Sequence, residues 1–132
     1  MSKKSMRTLE WNGQKAFGYS PPKDQPESEL LAHSMAMLAV MPDVHVMRNN
    51  VGVAKFGKRW VRYGLGKGSA DIIAIVGPRG KFTSIELKRE KGQLEEDQER
   101  WVQRVRQLGG IAGRAENLEQ VAALIEEARR AP

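Results

Sequence analysis

The chain of 132 residues contains no cysteine. That single absence excludes a disulfide scaffold, thiolate zinc sites, thiol nucleophiles and redox switching. No apolar run approaches the roughly 18 residues needed to cross a bilayer. The basic N-terminus, Met1 to Trp11, lacks the apolar stretch of a secretory signal. Histidine occurs only at His33 and His45, which have no partner at ligand spacing, and no serine has the turn context of a hydrolase nucleophile. Residues 44–70 contain no acid at all, yet carry Arg48, Lys55, Lys58, Arg59, Arg62 and Lys67. These absences leave a cytosolic protein with no membrane association.

What is present is ordinary globular composition, 40% hydrophobic and 29% charged, at one domain's length. The net charge is +6 and the pI about 9.8. Acids outnumber bases from Gly92 onward, so the positive charge is concentrated in the middle of the chain. Such segregation fits a polyanionic partner on one side, nucleic acid above all, or a solvated surface of uneven charge.

Residues 1–25 show neither helical nor strand periodicity, and Ser20-Pro21-Pro22 ends them as a linker would. Trp11, Phe17 and Tyr19 in this arm suit docking on a partner subunit or on the domain body, or loose exposure. The domain proper spans 26–132. Leu30, Leu31, Met35 and Leu38 recur at helical spacing across 27–40, before Pro42. Short strands are expected at 44–47 and 59–63, with a glycine-rich loop between them. Residues 71–76 and 81–88 form a hairpin around Gly77-Pro78-Arg79-Gly80, and the first of these strands, apolar on both faces, belongs inside a sheet. Leu94, Gln98, Trp101, Val102, Val105 and Leu108 share one face of a helix over 95–108, which Gly109-Gly110 terminates. A strand at 111–115 follows, and then a helix to about residue 129 capped by Asn117 with Gln120. The order implies an α/β fold, a mixed sheet with a central hairpin flanked by helices.

The hairpin register locates the chemistry. With Gly77 opposite Gly80, Asp71 falls opposite Glu86, their Cβ atoms roughly 4.5–5.5 Å apart on one face. Lys88, two residues on, projects from that face as well. Two opposed acids on an apolar hairpin need positive charge between them. Lys88 supplies it as a structural ion pair, or a divalent cation supplies it, hard oxygen donors at this spacing suiting Mg²⁺ or Mn²⁺. Glu27 shares the inward stripe with Leu30 and Leu31, where it either complements the helix dipole or adds a third carboxylate. Gln98 interrupts an apolar stripe, as a satisfied core amide or as support for a neighbouring site. The glycines of Gly64-Leu65-Gly66-Lys67-Gly68-Ser69 do not match a phosphate-binding loop and are read as a turn permitting close backbone approach.

Taken together, Glu27-Ser28-Glu29-Leu30-Leu31-Ala32, Arg48-Asn49-Asn50-Val51-Gly52, Arg62-x-Gly64, Gly68-Ser69-Ala70-Asp71, Ile85-Glu86-Leu87-Lys88, Gln98-x-x-Trp101 and Gly109-Gly110 resemble the VRR-NUC family, virus-type replication-repair nucleases of the PD-(D/E)XK superfamily. The resemblance runs from about residue 26 to residue 117 and implies a restriction-endonuclease-like fold. One departure is Ala70, where the superfamily places proline before the aspartate. The stand-alone size resembles phage or prophage members, which implies a homodimeric, Holliday-junction-cutting endonuclease using Mg²⁺ or Mn²⁺. By position the resemblance implies that Asp71, Glu86 and the Leu87 carbonyl hold the metal, with Glu27 joining directly or through water. It further implies that Lys88 positions the attacking water and that Gln98 supports the site. Arg48, Lys58, Arg59, Arg62 and Lys67 would then hold the DNA, and Asn50 either contacts it or shapes the turn before Gly52. A flap or single-strand-end nuclease of the same fold, and a non-catalytic DNA-binding accessory protein, are the competing readings.

Phosphate binding by the basic middle implies counterion release, so affinity should fall steeply with salt. Arg59→Ala combined with Arg62→Ala should flatten the slope of log affinity against log salt by about two and weaken all DNA sequences alike. Titrations of labelled duplex at several salt concentrations check this; an unchanged slope places the DNA elsewhere.

Overall fold

The computed structural model describes residues 9–11, 14–16 and 27–132. Leu9–Trp11 (β1) and Gln14–Ala16 (β2) pair antiparallel, Leu9 opposite Ala16. Runs of three residues are too short to display alternation, which is why the sequence of the arm shows no strand periodicity. The Trp11, Phe17 and Tyr19 side chains and the Ser20-Pro21-Pro22 linker lie outside the described residues.

Helix α1 spans Glu27–Ala39, its first turn carrying Glu27 and Glu29 against the positive end of the helix dipole. Strand β3 (Val44–Arg48) leads into a second hairpin, β4 (Gly52–Phe56) and β5 (Arg59–Tyr63). Strands β6 (Ile72–Val76) and β7 (Lys81–Leu87) follow, then α2 (Glu96–Gln107), β8 (Ile111–Ala115) and α3 (Leu118–Arg130). The main sheet has the order β3-β6-β7-β8, antiparallel except for the parallel β7–β8 pair. The fold is therefore α/β with a mixed sheet flanked by helices, and the apolar β6 occupies an interior position as its composition requires.

The pleat divides the sheet's residues between two layers. Ile72, Ala74 and Val76 of β6 and Ile85 and Leu87 of β7 point to one face, where they meet Leu30 and Leu38 of α1 and Val121 and Ile125 of α3. Helix α2 covers part of the opposite face through Val105 and Trp101, whose indole N–H donates to Ser84 Oγ at 2.7 Å. Phe82 meets the Trp101 ring edge-on, at 6.4 Å between centroids. Leu108, expected on the buried stripe of this helix, is exposed instead because it lies past the last turn, beyond the edge of the sheet.

Local signals explain the helix ends. Asn117 Oδ1 accepts from the Gln120 backbone N–H at 2.8 Å, while Gln120 Oε1 accepts from the N–H of Glu116, one residue ahead of the cap. Gly109, at φ 96°, reverses the chain after α2 in a conformation open to glycine. Strand β4 lies where a loop was expected. Its residues Val53, Lys55 and Phe56 are exposed, so no buried face imposes an alternating pattern on this segment.

Ile85 and Leu38 are fully buried. Leu38→Ala or Ile85→Ala should each cost about 2–5 kcal/mol of unfolding free energy, against about 0.5 kcal/mol or less for Leu108→Ala. Denaturant unfolding midpoints measure the difference.

Candidate active site

The expected hairpin register holds. Ile72 pairs with Ile85 and Val76 with Lys81, so the same register continued by one residue sets Asp71 opposite Glu86. Both project from the face that carries α2, the reverse of the Ile72/Ile85 face. Glu86 is buried at 7% exposure and Asp71 is half-buried.

Each carboxylate commits one oxygen to a fixed donor. Asp71 Oδ2 accepts from the Leu87 backbone N–H at 2.9 Å. Glu86 Oε1 accepts from Gln98 Nε2, also at 2.9 Å. Gln98 is fixed in turn, because its Oε1 accepts from the Glu95 N–H where α2 begins. The polar interruption of the helix stripe is thus both a satisfied amide and a positioning group. Lys88 Nζ stands 4.0 Å from Glu86 Oε1, its side chain largely buried. The Lys88 N–H turns to Ala115 O of β8 while the Leu87 N–H turns to Asp71. The N–H and C=O of one strand residue leave on the same edge, so the Leu87 carbonyl faces the Asp71 side.

The electrostatics are those of a site short of positive charge. Burial is the largest influence on both acids and raises both above the ordinary carboxylate range. Glu86 is pushed up to about 8, with Asp71 adding repulsion and Lys88 opposing it. The Leu87 N–H opposes the rise at Asp71, and the charge of Glu27 adds to it.

Glu27 is exposed at the first position of α1, close enough for its charge to raise both acids, and Leu31, one turn further along the same helix, lines the cleft over them. Among the described residues no group of three or more His, Asp or Glu gathers into a metal cage.

A cleft of about 260 Å³ opens over Asp71 and Glu86, rimmed by Arg48, Asn50, Lys67 and Gln98. Lys67 pairs with Asp97 at 3.1 Å, so its charge is partly answered within the protein. Lys58, Arg59 and Arg62 do not line the cleft; they lie on the β4–β5 hairpin and its turn. Sequence reasoning missed Asn49. Its Nδ2 donates to Ser69 Oγ (2.7 Å) and to the Ala70 carbonyl (2.8 Å), and its Oδ1 accepts from the Leu65 N–H (3.2 Å). One half-buried side chain thereby fixes the glycine loop that leads into Asp71, across a separation that no local pattern reveals. Ala70, at the superfamily's proline position, is fully buried and supplies one of those acceptors. Gly68, at φ 85°, lies so close to the Asp97 backbone that a Cβ would collide with it, as expected of a close-approach turn.

The VRR-NUC domain profile matches residues 50–116, about half of the chain. The chain belongs to the VRR-NUC family. No curated protein sequence matches it. A solved VRR-NUC domain structure, 22% identical, superposes with a TM-score of 0.54 over 76% of this chain and 94% of that one. At that identity the likeness concerns the fold alone. Within this VRR-NUC domain the donor set suits a small hard dication. Mg²⁺ is commonly held by one or two carboxylates, with water and substrate phosphate filling its other positions. Two oriented, desolvated carboxylates and a strand carbonyl on the same edge meet that requirement, and a third acid is not needed.

Without a cation, a proton on the acid pair takes its place. The folded chain then keeps a proton that the unfolded chain has lost, so this contribution to metal-free stability declines as pH rises from the ordinary carboxylate range to about 8. In EDTA, Glu86→Gln should flatten that part of the thermal-stability profile and melt no lower than the parent at pH 8. A variant that melts lower there would assign Glu86 to a structural ion pair with Lys88.

Proposed function

We propose that this VRR-NUC domain is a metal-dependent endodeoxyribonuclease that hydrolyses phosphodiester bonds in branched DNA, four-way junctions foremost. The observation that carries the reading is the opposition of two oriented acids, Glu86 buried and Asp71 half-buried, with Lys88 beside them beneath a cleft rimmed by Arg48 and Asn50. A module that only binds DNA gains nothing from burying two repelling carboxylates where a polyanion must approach.

Asp71, Glu86 and the Leu87 carbonyl would hold Mg²⁺ or Mn²⁺, which polarises a phosphate oxygen and lowers the pKa of water when bound. The chain's own groups do the rest. The Leu87 N–H and Gln98 fix the two carboxylates before substrate arrives, so their orientation requires no rearrangement during the reaction. Lys88 places a cation beside the acid pair, where it orients the attacking water and offsets charge developing on the phosphate. Arg48 and Asn50 hold the DNA backbone at the rim, while Arg59, Arg62 and Lys58 extend that contact along the hairpin. Lys67 takes part to the extent that Asp97 releases it. Glu27, exposed at the head of α1, acts through intervening water. Symmetric nicks across a junction require two sites related by a two-fold axis, so the working unit is an isologous homodimer.

The test is a Mg²⁺ and Mn²⁺ titration with a labelled four-way junction. Asp71→Asn and Glu86→Gln should abolish cleavage while DNA binding persists, and Gln98→Ala should slow cleavage by about 10–100-fold. Turnover at the parent rate by either acid variant overturns the site. Binding without cleavage at any metal concentration assigns the chain to the accessory role, and cleavage of flaps but not junctions changes the substrate while keeping the site.

A further inference from the structure

The β4–β5 ribbon exposes large rings that neither the core nor the cleft uses. Every residue of β5 is exposed, and Trp60 and Phe56 are each 67% exposed. Apolar rings held in water at this density mark a contact surface, and a two-stranded ribbon is marginal on its own. The register pairs Lys55 with Trp60 and Val53 with Arg62 on one face, and Phe56 with Arg59 on the other at the tip. Lys55 Nζ lies 5.6 Å from the centroid of the Trp60 ring. One face therefore carries Trp60 beside Lys55 and Arg62, and the other carries Phe56 with Arg59 at the tip.

Charge and placement identify the occupant. No acid occurs between residues 44 and 70, so a second copy of the ribbon would meet the same cations with nothing to answer them. A polyanion answers all of them. At its base the ribbon joins the cleft: Asn50 and Val51 line it, and Gly64, immediately after β5, packs against the backbone of both. From Gly52 to Phe56 the strand advances about 13 Å away from the cleft. Within a paired duplex the base faces are covered by their neighbours, whereas an unpaired base offers a π-face to any flat ring.

We infer that the β4–β5 ribbon recognises unpaired nucleotides in DNA next to the cleavage point, Trp60 and Phe56 stacking on splayed bases while Lys55, Arg59 and Arg62 hold the flanking phosphates. The inference rests on the nuclease reading of the acid pair and replaces the fully paired four-way junction as the favoured substrate with branched DNA that has unpaired bases at the branch. It makes Trp60 and Phe56 determinants of substrate choice, separate from the metal-holding group.

Binding of the full chain in EDTA, followed by fluorescence anisotropy, tests this without cleavage. The probes are a fully paired duplex and the same duplex with a short single-stranded gap. The parent should prefer the gapped probe, and Trp60→Ala should reduce that preference about tenfold, within the range of one lost base stack. Trp60→Phe should restore most of it, and Phe56→Ala should reduce it in the same direction. Arg59→Ala with Arg62→Ala should weaken both probes and leave their ratio unchanged. Equal binding of the two probes by the parent, or an equal loss on both in Trp60→Ala, overturns the inference in favour of a groove reader. Loss of a dimer in sedimentation of Trp60→Ala overturns it in favour of an interface between copies. The nuclease reading fails by a different measurement, cleavage by Asp71→Asn, which leaves the ratio untouched.

Discussion

Asp71 and Glu86 face each other across the β6–β7 hairpin at the floor of a cleft, where burial raises both, and much of the surrounding structure is arranged to hold them there. The Leu87 N–H fixes one carboxylate and Gln98 the other, and the Gln98 amide is itself tied to the first residues of α2. A one-residue slip of the hairpin would turn both acids to the face filled by Leu30, Leu38 and Ile125. The apolar layer on that face, by refusing the slip, maintains the register that presents the acids. Core packing and the candidate chemistry are therefore one constraint seen from the two sides of a sheet.

A second arrangement brings distant chain together at the same point. Asn49 bonds to Ser69, Ala70 and Leu65, and Gly68 allows that loop to settle on the backbone of Asp97. The strand that delivers Asp71 is thus entered from a loop anchored both to the end of β3 and to the start of α2. Lys67 and Asp97 add an exposed ion pair at the rim; a pair of that kind contributes little stability but leaves a cation next to where a phosphate would lie.

The charge of the molecule is divided in the same way as its chemistry. Acids collect at the cleft floor and along α2, while the acid-free segment supplies Arg48 at the rim and the cations of the ribbon. The VRR-NUC assignment accounts for the floor and the sheet. The ribbon's exposed rings are a separate feature, carried on a hairpin whose base, at Asn50 and Val51, lines the cleft.

By itself the sequence determined whatever depends on neighbours along the chain. Hairpin register followed from the Gly77–Gly80 turn, and with it the opposition of Asp71 and Glu86 and the proximity of Lys88. Helix spacing and capping residues placed the three helices to within a residue or two, and the apolar composition of β6 assigned it to the sheet interior. Other features were decided only by the tertiary structure. Glu27 lies on a stripe that looks inward on a helical wheel, yet its place at the first position of α1 leaves it exposed while Leu31, one turn on, lines the cleft. Strand β4 carries no alternating pattern because both faces of its ribbon meet water, so nothing in its composition records a burial that does not occur. Asn49 and Gln98 became positioning groups only when folding brought Ser69 and Glu86 within hydrogen-bonding reach. Periodicity reports which side of an element is apolar, whereas the identity of what packs against it is set by contacts between residues far apart in the chain.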